Sequence, residues 1–380
     1  MLDHDVVIVG AGPVGLLLGC LLAQRGMDVA VCEKRAGADE RSRAIGIHPP
    51  GLDALDDAGI GDRVRAEALA LEGGDVLSRG RTMASVDFTR ERPVLVLPQH
   101  RTSALLRERL EQLDAGALRP GCDALAVRDE GEFTRLTVDI GGVRRELTSS
   151  FIVAADGVRS GIREMLGVGW QRRPGAADYL MMDVPDTTEG ARAHLYCEPA
   201  GLVESFPLPG GMRRWVVRDA ISGGAAAETR ERRNAADLRT AIEERTGIRV
   251  TAPDGVLPTA FRAAQHLAAR TVVGRVILLG DAAHEISPIG GQGMNLGWLD
   301  ALRLTDQIEQ SLQRATSDFR GFERRSRRSA RRTQSRARFY MAMGAPAQPL
   351  GVHTRELLIR ALGSGARNGR MADMITMRGL

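Results

Sequence analysis

The sequence predicts an α/β protein in which a parallel sheet carries an inserted antiparallel sheet and is followed by C-terminal helices. Asp5–Val9 and Asp28–Glu33 read as buried strands, and residues 13–25 between them read as a helix. Residues 175–270 alternate strand-like runs with Pro and Gly turns, as in an antiparallel sheet. Val276–Leu279 then returns to a buried strand of the parallel type, so the antiparallel sheet is predicted to be an insertion.

The remaining elements follow from apolar periodicity and from turn residues. Thr134–Ile140 and Val143–Leu147 flank Gly141-Gly142, which is a two-residue hairpin signal. Phe151–Ala155 reads as a further buried strand. Helices are predicted at residues 50–70, 102–113 and 230–246 and from Gly293 onward.

Composition predicts a cytoplasmic protein of more than one domain. The chain has 380 residues and a net charge of only +4, and its four cysteines are scattered without a CxxC pair. Such cysteines are typical of free thiols in a reducing compartment. The first strand leaves no room for a signal peptide, and the apolar stretch Val14–Ala23 is too short to cross a bilayer. We therefore expect no association with membranes.

The basic residues are almost all arginine, since Lys34 is the only lysine. They are densest between Arg320 and Arg338, where nine arginines occur. This segment is either the solvated face of a late helix or a site for an acidic product. No aromatic residues are interleaved with these arginines, so we expect no nucleic-acid partner.

The loop Gly10-Ala-Gly-Pro-Val-Gly15 joins the first strand to the first helix. Gly10 permits a tight turn, Gly12 lets the backbone approach a pyrophosphate, and Gly15 lets the helix pack on the strand. The pyrophosphate is expected at the positive end of the helix, beside Pro13 and Val14. The loop therefore predicts a dinucleotide site.

Glu33 ends the second predicted strand, where a carboxylate accepts hydrogen bonds from the ribose hydroxyls of the adenosine. Lys34 and Arg35 follow it directly and are further candidates for cofactor contacts. Strand, helix, second strand and acid are in register for a dinucleotide, but they do not separate NAD from FAD.

A second motif, Gly280-Asp281-Ala-Ala-His284, lies almost 270 residues later and leads to Pro288 and to Gly290-Gly-Gln-Gly-Met-Asn295. A chain that returns late to the same ligand suits the long FAD molecule. Asp281 can hold a ribityl hydroxyl, and the glycines expose backbone N–H groups at the start of a helix. Those groups are expected to bond the flavin N1–C2=O2 edge, which is negative when the flavin is reduced. The two motifs together predict a flavoenzyme.

From Asp5 to about Phe339 the sequence resembles the class A flavoprotein monooxygenases, the family of para-hydroxybenzoate hydroxylase and phenol hydroxylase. The resemblance is carried by GAGPVG with Glu33, by Ala155-Asp-Gly-Val-Arg-Ser160 and by GDAAHEISPIGGQGMNLGWLDA. It implies that Asp156 and Gly157 serve FAD and NAD(P)H together. It also implies that residues 288–295 line the isoalloxazine.

The resemblance further implies an arginine beside the FAD pyrophosphate, Arg43, and another FAD contact at Arg101. The complete predicted cofactor site is Gly10, Gly12, Pro13, Val14, Gly15, Glu33, Lys34, Arg35, Arg43, Arg101, Asp156, Gly157, Gly280, Asp281, Pro288, Gly291, Gly293, Met294 and Asn295. The predicted catalytic residues are Pro288, Gly291, Arg214 and His284.

Several of these assignments have a structural alternative. Arg214 either faces the flavin, as the resemblance implies, or is a solvated strand arginine. His284 is either a catalytic base or a residue that packs beneath the flavin. Arg159 and Arg163 either contact a cofactor or stand in the first turn of a helix without such a role. The other histidines show no ligand spacing, so no metal site is predicted.

The predicted organisation is a Rossmann-like FAD-binding domain at residues 1–175, with part of the substrate domain around 75–98. An antiparallel substrate-binding sheet follows at 176–270, and a second segment of the FAD-binding domain at 271–340. The tail, 341–380, is predicted to be helical and to cover the pocket. The candidate pocket walls are Tyr179, Met181, Tyr196, Phe206 and Trp215.

The resemblance implies that NAD(P)H reduces FAD and that a flavin C4a-hydroperoxide transfers one oxygen atom to an aromatic or polyketide-like substrate. A flavin-dependent reductase of a double bond and a flavin-binding module without turnover are the alternatives. A halogenase is disfavoured because Lys34 lies beside Glu33 and cannot reach the flavin ring. The choice between NADH and NADPH, and between monomer and homodimer, stays open.

Overall fold

The structure is a computed structural model and describes most of the chain. The described residues are 2–37, 44–89, 93–188, 190–219, 235–253, 256–364 and 366–379. Arg43, one of the sequence-predicted FAD contacts, lies outside these residues, as does the first part of the helix predicted at 230–246.

The elements are numbered in chain order. The strands are β1 (His4–Val9), β2 (Val29–Glu33), β3 (Gly46–Ile47), β4 (Leu69–Ala70), β5 (Gly73–Ser78), β6 (Arg81–Asp87), β7 (Leu95–Val96), β8 (Leu118–Pro120), β9 (Cys122–Asp129), β10 (Thr134–Ile140), β11 (Val143–Ala154), β12 (Trp170–Arg172), β13 (Ala177–Pro185), β14 (Arg192–Glu198), β15 (Gly201–Leu208), β16 (Met212–Arg218), β17 (Thr259–Ala263), β18 (His266–Ala268), β19 (Val272–Val273), β20 (Val276–Leu278) and β21 (His284–Glu285). The helices are α1 (Pro13–Gln24), α2 (Pro49–Asp57), α3 (Gly61–Glu67), α4 (Gln99–Leu113), α5 (Gly161–Met165), α6 (Ala235–Thr246), α7 (Gln292–Gln313), α8 (Arg320–Met343), α9 (Pro349–Leu362) and α10 (Ala366–Ile375). One turn of 3₁₀ helix spans Gly280–Ala282.

An eight-stranded sheet has the order β19-β20-β11-β1-β2-β8, with β10 and β9 continuing from β11. Strands β20, β11, β1, β2 and β8 run parallel. Helix α1 packs between this sheet, α4 and α7, and its residues Leu16, Leu17 and Leu18 are fully buried. The predicted α/β class with a parallel sheet is therefore confirmed.

Strand β11 is one continuous strand of 12 residues, whereas the sequence predicted two strands, Val143–Leu147 and Phe151–Ala155. Its first half pairs antiparallel with β10 across the turn at Gly141 and Gly142, which have φ values of 62° and 85°. Its second half pairs parallel with β1 and β20. The polar residues Thr148 to Ser150 hid this continuity, since the strand is exposed at its start, alternates between buried and half-buried residues in its middle, and is fully buried only at its end.

The predicted helix over residues 50–70 is likewise two helices, α2 and α3. The chain turns between them at Gly59, whose φ is +76°. Glycine adopts that conformation without the strain that a side chain would introduce. The apolar periodicity continues on both sides of this turn, and the periodicity therefore did not reveal the break between the two helices.

A seven-stranded sheet has the order β17-β13-β16-β15-β14-β5-β6. One of its faces, here called the inner face, carries Tyr179, Leu202 and Val216 in one apolar cluster with Ile289. The opposite, outer face carries Trp215 and packs against Leu238 and Ile242 of α6. The inner face is therefore turned toward the loop that precedes α7.

The tail packs against the seven-stranded sheet. Helices α9 and α10 contact β6, and Ile359 of α9 belongs to the apolar cluster of the inner face. Glu356 of α9 is ion-paired with Arg79 and accepts a hydrogen bond from Ser78 Oγ at 2.9 Å. On α8, Phe322, Ala330 and Ala337 are buried, whereas most arginines of the segment 320–338 are exposed. Among the described helices, none combines the length and apolarity of a membrane span.

Candidate cofactor and substrate site

The turn between β1 and α1 requires glycine at two positions. Gly10 has φ of +105°, and a Cβ there would lie 2.5 Å from the carbonyl oxygen of Ala155. A Cβ on Gly15 would lie 2.0 Å from the carbonyl oxygen of Gly10. Both glycines therefore serve the close approach of strand and helix.

Gly12 differs from these two glycines because a Cβ there would meet no atom within 4 Å. It caps α1 without a side-chain hydrogen bond, and Pro13 is the first helical residue. No acidic residue occupies the first turn, so the positive end of the helix dipole is not neutralised by the helix's own side chains. The open space in front of Gly12 fits a pyrophosphate.

Glu33 closes β2 beside this turn. Its Oε2 accepts a hydrogen bond from Ala11 N at 2.9 Å, and its Oε1 accepts one from Arg35 N at 3.1 Å. The carboxylate is thereby held at the mouth of the turn. The Lys34 side chain instead pairs with Asp123 at 2.8 Å and is largely exposed, as is Arg35.

Arg101 lies in the first turn of α4 and pairs with Glu67. Its Nε and Nη2 each donate to one oxygen of Glu67 at 3.0 Å, and these hydrogen bonds raise the pKa of the guanidinium. The structure therefore gives Arg101 a protein partner, and its contact with FAD stays a prediction.

The segment Asp156-Gly157 follows β11 at the carboxyl end of the parallel sheet. Asp156 Oδ2 accepts a hydrogen bond from Ile162 N at 3.2 Å, whereas its Oδ1 is buried and has no hydrogen-bond partner among the described residues. Burial raises the pKa of this carboxyl group. Gly157 has φ of +82° and faces open space.

Arg163, for which a cofactor contact was one alternative, is buried in the protein. It donates to the carbonyl oxygens of Val158 at 2.8 Å and Ala282 at 3.1 Å. Its guanidinium also lies 3.8 Å from the ring centroid of Trp170. These contacts assign Arg163 to holding the two motif segments together, while Arg159 is exposed.

The two motifs that are almost 270 residues apart in sequence lie side by side. A Cβ on Gly280 would lie 3.2 Å from Val14 Cγ1. Trp298 Nε1 of α7 donates to the carbonyl oxygen of Pro13 at 3.0 Å. Asp281, in the turn that follows Gly280, is exposed at the same edge of the sheet. One extended ligand can therefore contact both motifs.

Helix α7 begins directly after the loop 286–291. Its N-cap is Gly291 with φ of +65°, no side chain caps the helix, and no acid lies in its first turn. Gly293 and Met294 are half-buried in that turn, and Pro288 is exposed in the loop. This second helix N-terminus can stabilise negative charge in the same way as that of α1.

Asn295 holds this loop against α2. Its Nδ2 donates to the carbonyl oxygens of Gly46 at 3.0 Å and Gly291 at 2.9 Å, and its Oδ1 accepts from His48 N at 2.9 Å. Asn295 is fully buried, and its side chain fixes the loop; its contact with FAD stays a prediction.

His48 is a residue of this site that was not predicted from the sequence. It is buried between α2 and the loop, and burial lowers the pKa of its imidazole to about 4, although a hydrogen bond to the backbone of Gly290 opposes this shift. The ring is therefore neutral near neutral pH. The position of His48 before Pro49-Pro50 indicated the start of a helix. Nothing in the local sequence indicated that His48 would contact the distant loop 286–291.

His284 was considered as a catalytic base, and its surroundings favour the packing alternative. It is fully buried, and its Nε2 is hydrogen-bonded to Asp300 Oδ2 at 3.0 Å. The same oxygen accepts from Ser326 Oγ at 2.6 Å, which links the segment to α8. The buried imidazole of His284 therefore connects β21 to α7 and, through Asp300, to α8.

The family model described as FAD binding domain matches residues 3–335 of this chain. The chain belongs to this FAD-binding family. The glycine turn, Glu33 and the two uncapped helix N-termini fit the cofactor that the family binds.

Relatives of the FAD-binding family are similar over most of the chain. This chain is 31% identical over 318 residues to 12-dehydrotetracycline 5-monooxygenase/anhydrotetracycline 6-monooxygenase of Streptomyces rimosus. The match covers 79% of this chain and 61% of that protein. The chain is 31% identical over 314 residues to 3-(3-hydroxy-phenyl)propionate/3-hydroxycinnamic acid hydroxylase of Comamonas testosteroni, covering 80% and 52% respectively. The chain therefore spans between about half and two thirds of the length of these relatives.

The crystal structure of p-nitrophenol 4-monooxygenase PnpA from Pseudomonas putida superposes with a TM-score of 0.86, at 22% sequence identity, and covers 99% of each chain. At this identity the similarity concerns the fold.

In this FAD-binding fold the inner face of the seven-stranded sheet is the surface that meets the loop 286–291. Tyr179 and Met181 are members of that face, and Phe206 follows by alternation along β15. Tyr196 and Trp215 lie on the outer face with α6, so their expected position in the pocket wall is wrong. Adjacent residues of a strand point to opposite faces of the sheet, so only some of the candidate residues can line the inner face. The sequence did not reveal which of the two faces is the inner one.

Arg214 belongs to the inner face, but its partner is an acid. Its Nε and Nη2 donate to the two oxygens of Asp183 on the neighbouring strand, both at 2.7 Å. The side chain is almost completely buried, so it is not a solvated strand arginine. Its position relative to the flavin stays a prediction. Among the described residues, no cluster of His, Cys, Asp and Glu has the composition of a metal site.

Proposed function

We propose that this protein is an NAD(P)H- and FAD-dependent monooxygenase that hydroxylates an aromatic or polyketide-like small molecule. The observation that carries the proposal is the apolar cluster in which Tyr179 and Val216 of the inner face meet Ile289 of the loop before α7. An apolar surface shared by a flavin-binding loop and an inserted sheet is the environment that oxygen transfer to an apolar ring requires.

The chain offers one contact for each part of FAD. The N-terminus of α1 at Gly12 would hold the pyrophosphate, and Glu33 would hold the adenosine ribose. Asp281 would hold the ribityl chain, and the N-terminus of α7 at Gly291 would hold the carbonyl edge of the ring system. When bound, FAD accepts a hydride from NAD(P)H and activates dioxygen.

The remaining work falls to the protein's own residues. Asn295 and His48 fix the loop that would contact the ring system, so the N–H groups of α7 are aimed before the cofactor arrives. The tail helices close the β6 end of the inner face and would keep water from the reacting atoms. No protein nucleophile is needed for this reaction.

The substrate class is supported by what the relatives are named for. One is named for 12-dehydrotetracycline and anhydrotetracycline, and another for 3-(3-hydroxy-phenyl)propionate and 3-hydroxycinnamic acid. The chain matches about half to two thirds of each relative. We propose a planar aromatic substrate of this kind and a cytoplasmic location. Four unpaired, buried cysteines are consistent with a reducing compartment.

Labelled dioxygen tests the proposal. FAD-loaded protein is supplied with NADPH or NADH, a panel of phenols and polycyclic aromatics, and dioxygen enriched in the heavy isotope of oxygen. We expect aromatic-dependent consumption of the nicotinamide and one labelled oxygen atom in the hydroxylated product, with the other atom reduced to water.

Other outcomes would replace the proposal. Oxygen-independent consumption of NAD(P)H together with an unsaturated compound would indicate a double-bond reductase. Tight flavin binding without any consumption of NAD(P)H would indicate a binding module. A hydroxylated product whose new oxygen atom carries no label would have taken that atom from water and would exclude a monooxygenase.

A further inference from the structure

The inner face carries two buried polar groups that the fold leaves without partners. Glu204 of β15 and Tyr179 of β13 are 3% and 1% exposed. Neither Glu204 Oε1 nor the Tyr179 hydroxyl has a hydrogen-bond partner among the described residues. Buried polar groups are nearly always satisfied in native proteins, so two such groups on one apolar face require an explanation.

We propose that Glu204 and the Tyr179 hydroxyl together bind a hydroxyl group of the aromatic substrate. The inference rests on the proposed function, and it narrows the substrate class to hydroxylated aromatics oriented with one hydroxyl toward the seven-stranded sheet.

The strand register places Glu204 on the inner face. Glu204 lies opposite Val216 of β16, and Val216 lies opposite Met181 of β13. Both of these neighbours belong to the apolar cluster of the inner face, whereas Val203 beside Glu204 belongs to the outer cluster. Tyr179 is two residues before Met181 and therefore points to the same face.

The same apolar cluster includes residues from the other side of the proposed pocket. Ile289 comes from the loop before α7, and Tyr340 and Met341 come from the end of α8. A Cβ on Gly290 would lie 2.9 Å from Tyr340 Cδ2, so this ring borders the loop directly. An aromatic ligand placed between loop and sheet would meet apolar atoms on both sides and polar atoms at Glu204 and Tyr179.

Electrostatics makes Glu204 suitable for a neutral hydroxyl. Burial raises the pKa of its carboxyl group to about 8, so the group is protonated near neutral pH. A protonated carboxyl group both donates and accepts a hydrogen bond, as a phenol does. Burial raises the pKa values of Tyr179 and Cys197, and the negative charge of ionised Glu204 adds to both shifts.

A purely structural role explains these groups less well. A leucine at position 204 would fill the same apolar site without a desolvated carboxyl group. Arg214 and Arg218 are on the neighbouring strand, but Arg214 pairs with Asp183 and Arg218 donates to Met341 O at 2.7 Å. The carboxyl group is therefore not the partner of a buried cation in any described contact.

A matched pair of probes tests the proposal without turnover. p-Nitrophenol and p-nitroanisole have the same ring, and only the first carries a hydroxyl hydrogen. The measurements are made at about pH 5, where p-nitrophenol is not ionised and Glu204, with its pKa of about 8, is protonated. Their affinities for FAD-loaded protein are measured by equilibrium dialysis with absorbance detection. The variants are Glu204→Gln, Glu204→Leu and Tyr179→Phe, and the control is Tyr196→Phe, whose ring lies on the outer face of the same sheet.

We expect the wild type and Tyr196→Phe to prefer p-nitrophenol over p-nitroanisole by about tenfold or more. Glu204→Leu is expected to lose this preference, Tyr179→Phe to lose part of it, and Glu204→Gln to retain part of it because the amide still donates and accepts. A wild type without preference, or a Glu204→Leu variant that retains it, would overturn the inference.

The outcome is separable from that of the proposed function. If the preference depends on Glu204 but no labelled oxygen enters any product, the hydroxyl-binding site stands and the monooxygenase proposal fails. If oxygen is incorporated but the preference does not depend on Glu204, the reverse holds.

Discussion

A methyl group on Gly15 would lie 2.0 Å from the carbonyl oxygen of Gly10, whereas one on Gly12, between them, would meet nothing within 4 Å. The same short loop therefore contains a glycine needed by the fold and a glycine whose missing side chain leaves space for a ligand. The two requirements can be separated by experiment.

Gly12→Ala is expected to fold like the wild type and to lose FAD, because the added methyl group enters only the space in front of the α1 N-terminus. Gly15→Ala is expected to unfold at lower temperature, because strand and helix must separate. Thermal unfolding of the FAD-free proteins and flavin content after reconstitution measure the two effects. A Gly12→Ala protein that binds FAD normally would contradict the pyrophosphate assignment.

Asp281→Ala is expected to lose most of its FAD, because a ribityl hydroxyl would lose its carboxylate partner. Asp62→Ala serves as the control, since Asp62 is a fully exposed acid on α3 that is distant in sequence from Asp281. Flavin absorbance after gel filtration checks both variants. Normal flavin content in Asp281→Ala would refute the assignment.

Glu33→Ala is expected to weaken FAD binding more mildly, by about tenfold, because the ribose loses a charged acceptor and Ala11 N loses its partner. Glu33→Gln retains an acceptor for Ala11 N and should fall between the two. Titration of the apoprotein by flavin fluorescence gives the dissociation constants. Equal constants for all three proteins would exclude the ribose role.

Asn295→Ala is expected to lower the free energy of unfolding by about 2–3 kcal/mol, because His48 N and the carbonyl oxygens of Gly46 and Gly291 lose their partner in a buried site. FAD affinity should fall as well, since the loop before α7 is no longer fixed. Thr305→Val, which removes a buried hydroxyl farther along the same helix, is the control. Unaltered flavin affinity in a destabilised Asn295→Ala protein would show that the loop before α7 does not contribute to FAD binding.

Glu204→Gln is expected to change how stability depends on pH. The carboxyl pKa rises from 4.5 to about 8 on folding, so the folded wild type binds more protons than the unfolded chain between these values. The free energy of unfolding of the wild type therefore falls as pH rises through this window. The variant cannot ionise and does not share this loss.

Denaturant unfolding at about pH 5 and about pH 8 measures the difference between the two proteins. Between the lower and the higher pH, the free energy of unfolding of the variant should increase relative to that of the wild type by on the order of a few kcal/mol. Groups such as Asp156 are common to both proteins and cancel in the comparison. A constant difference between the proteins would show that Glu204 has an ordinary pKa in the fold.

Motifs that lie within one continuous segment were predictable from the sequence. The turn Gly10–Gly15 with Glu33 combines strand, helix and strand at fixed spacing, and that spacing predicts which glycine packs and which leaves space for a ligand. The late segment from Gly280 to Asn295 was recognisable for the same reason. The FAD-binding family followed from these two segments together with residues 155–160, and the α/β class followed from the pattern of predicted strands and helices.

Contacts between distant segments were decided only by the tertiary structure. Three features depend on where elements far apart in the chain come together. They are the hydrogen bond from His48 N to Asn295, the face of the seven-stranded sheet that turns inward, and Glu204 Oε1, which has no hydrogen-bond partner among the described residues. Local periodicity shows that a strand has two faces, but only the packing of α6 on one of them leaves the other for the loop before α7. The sequence by itself therefore determined the cofactor motifs and the fold class, and the packing of distant elements decided which side chains border the proposed substrate site.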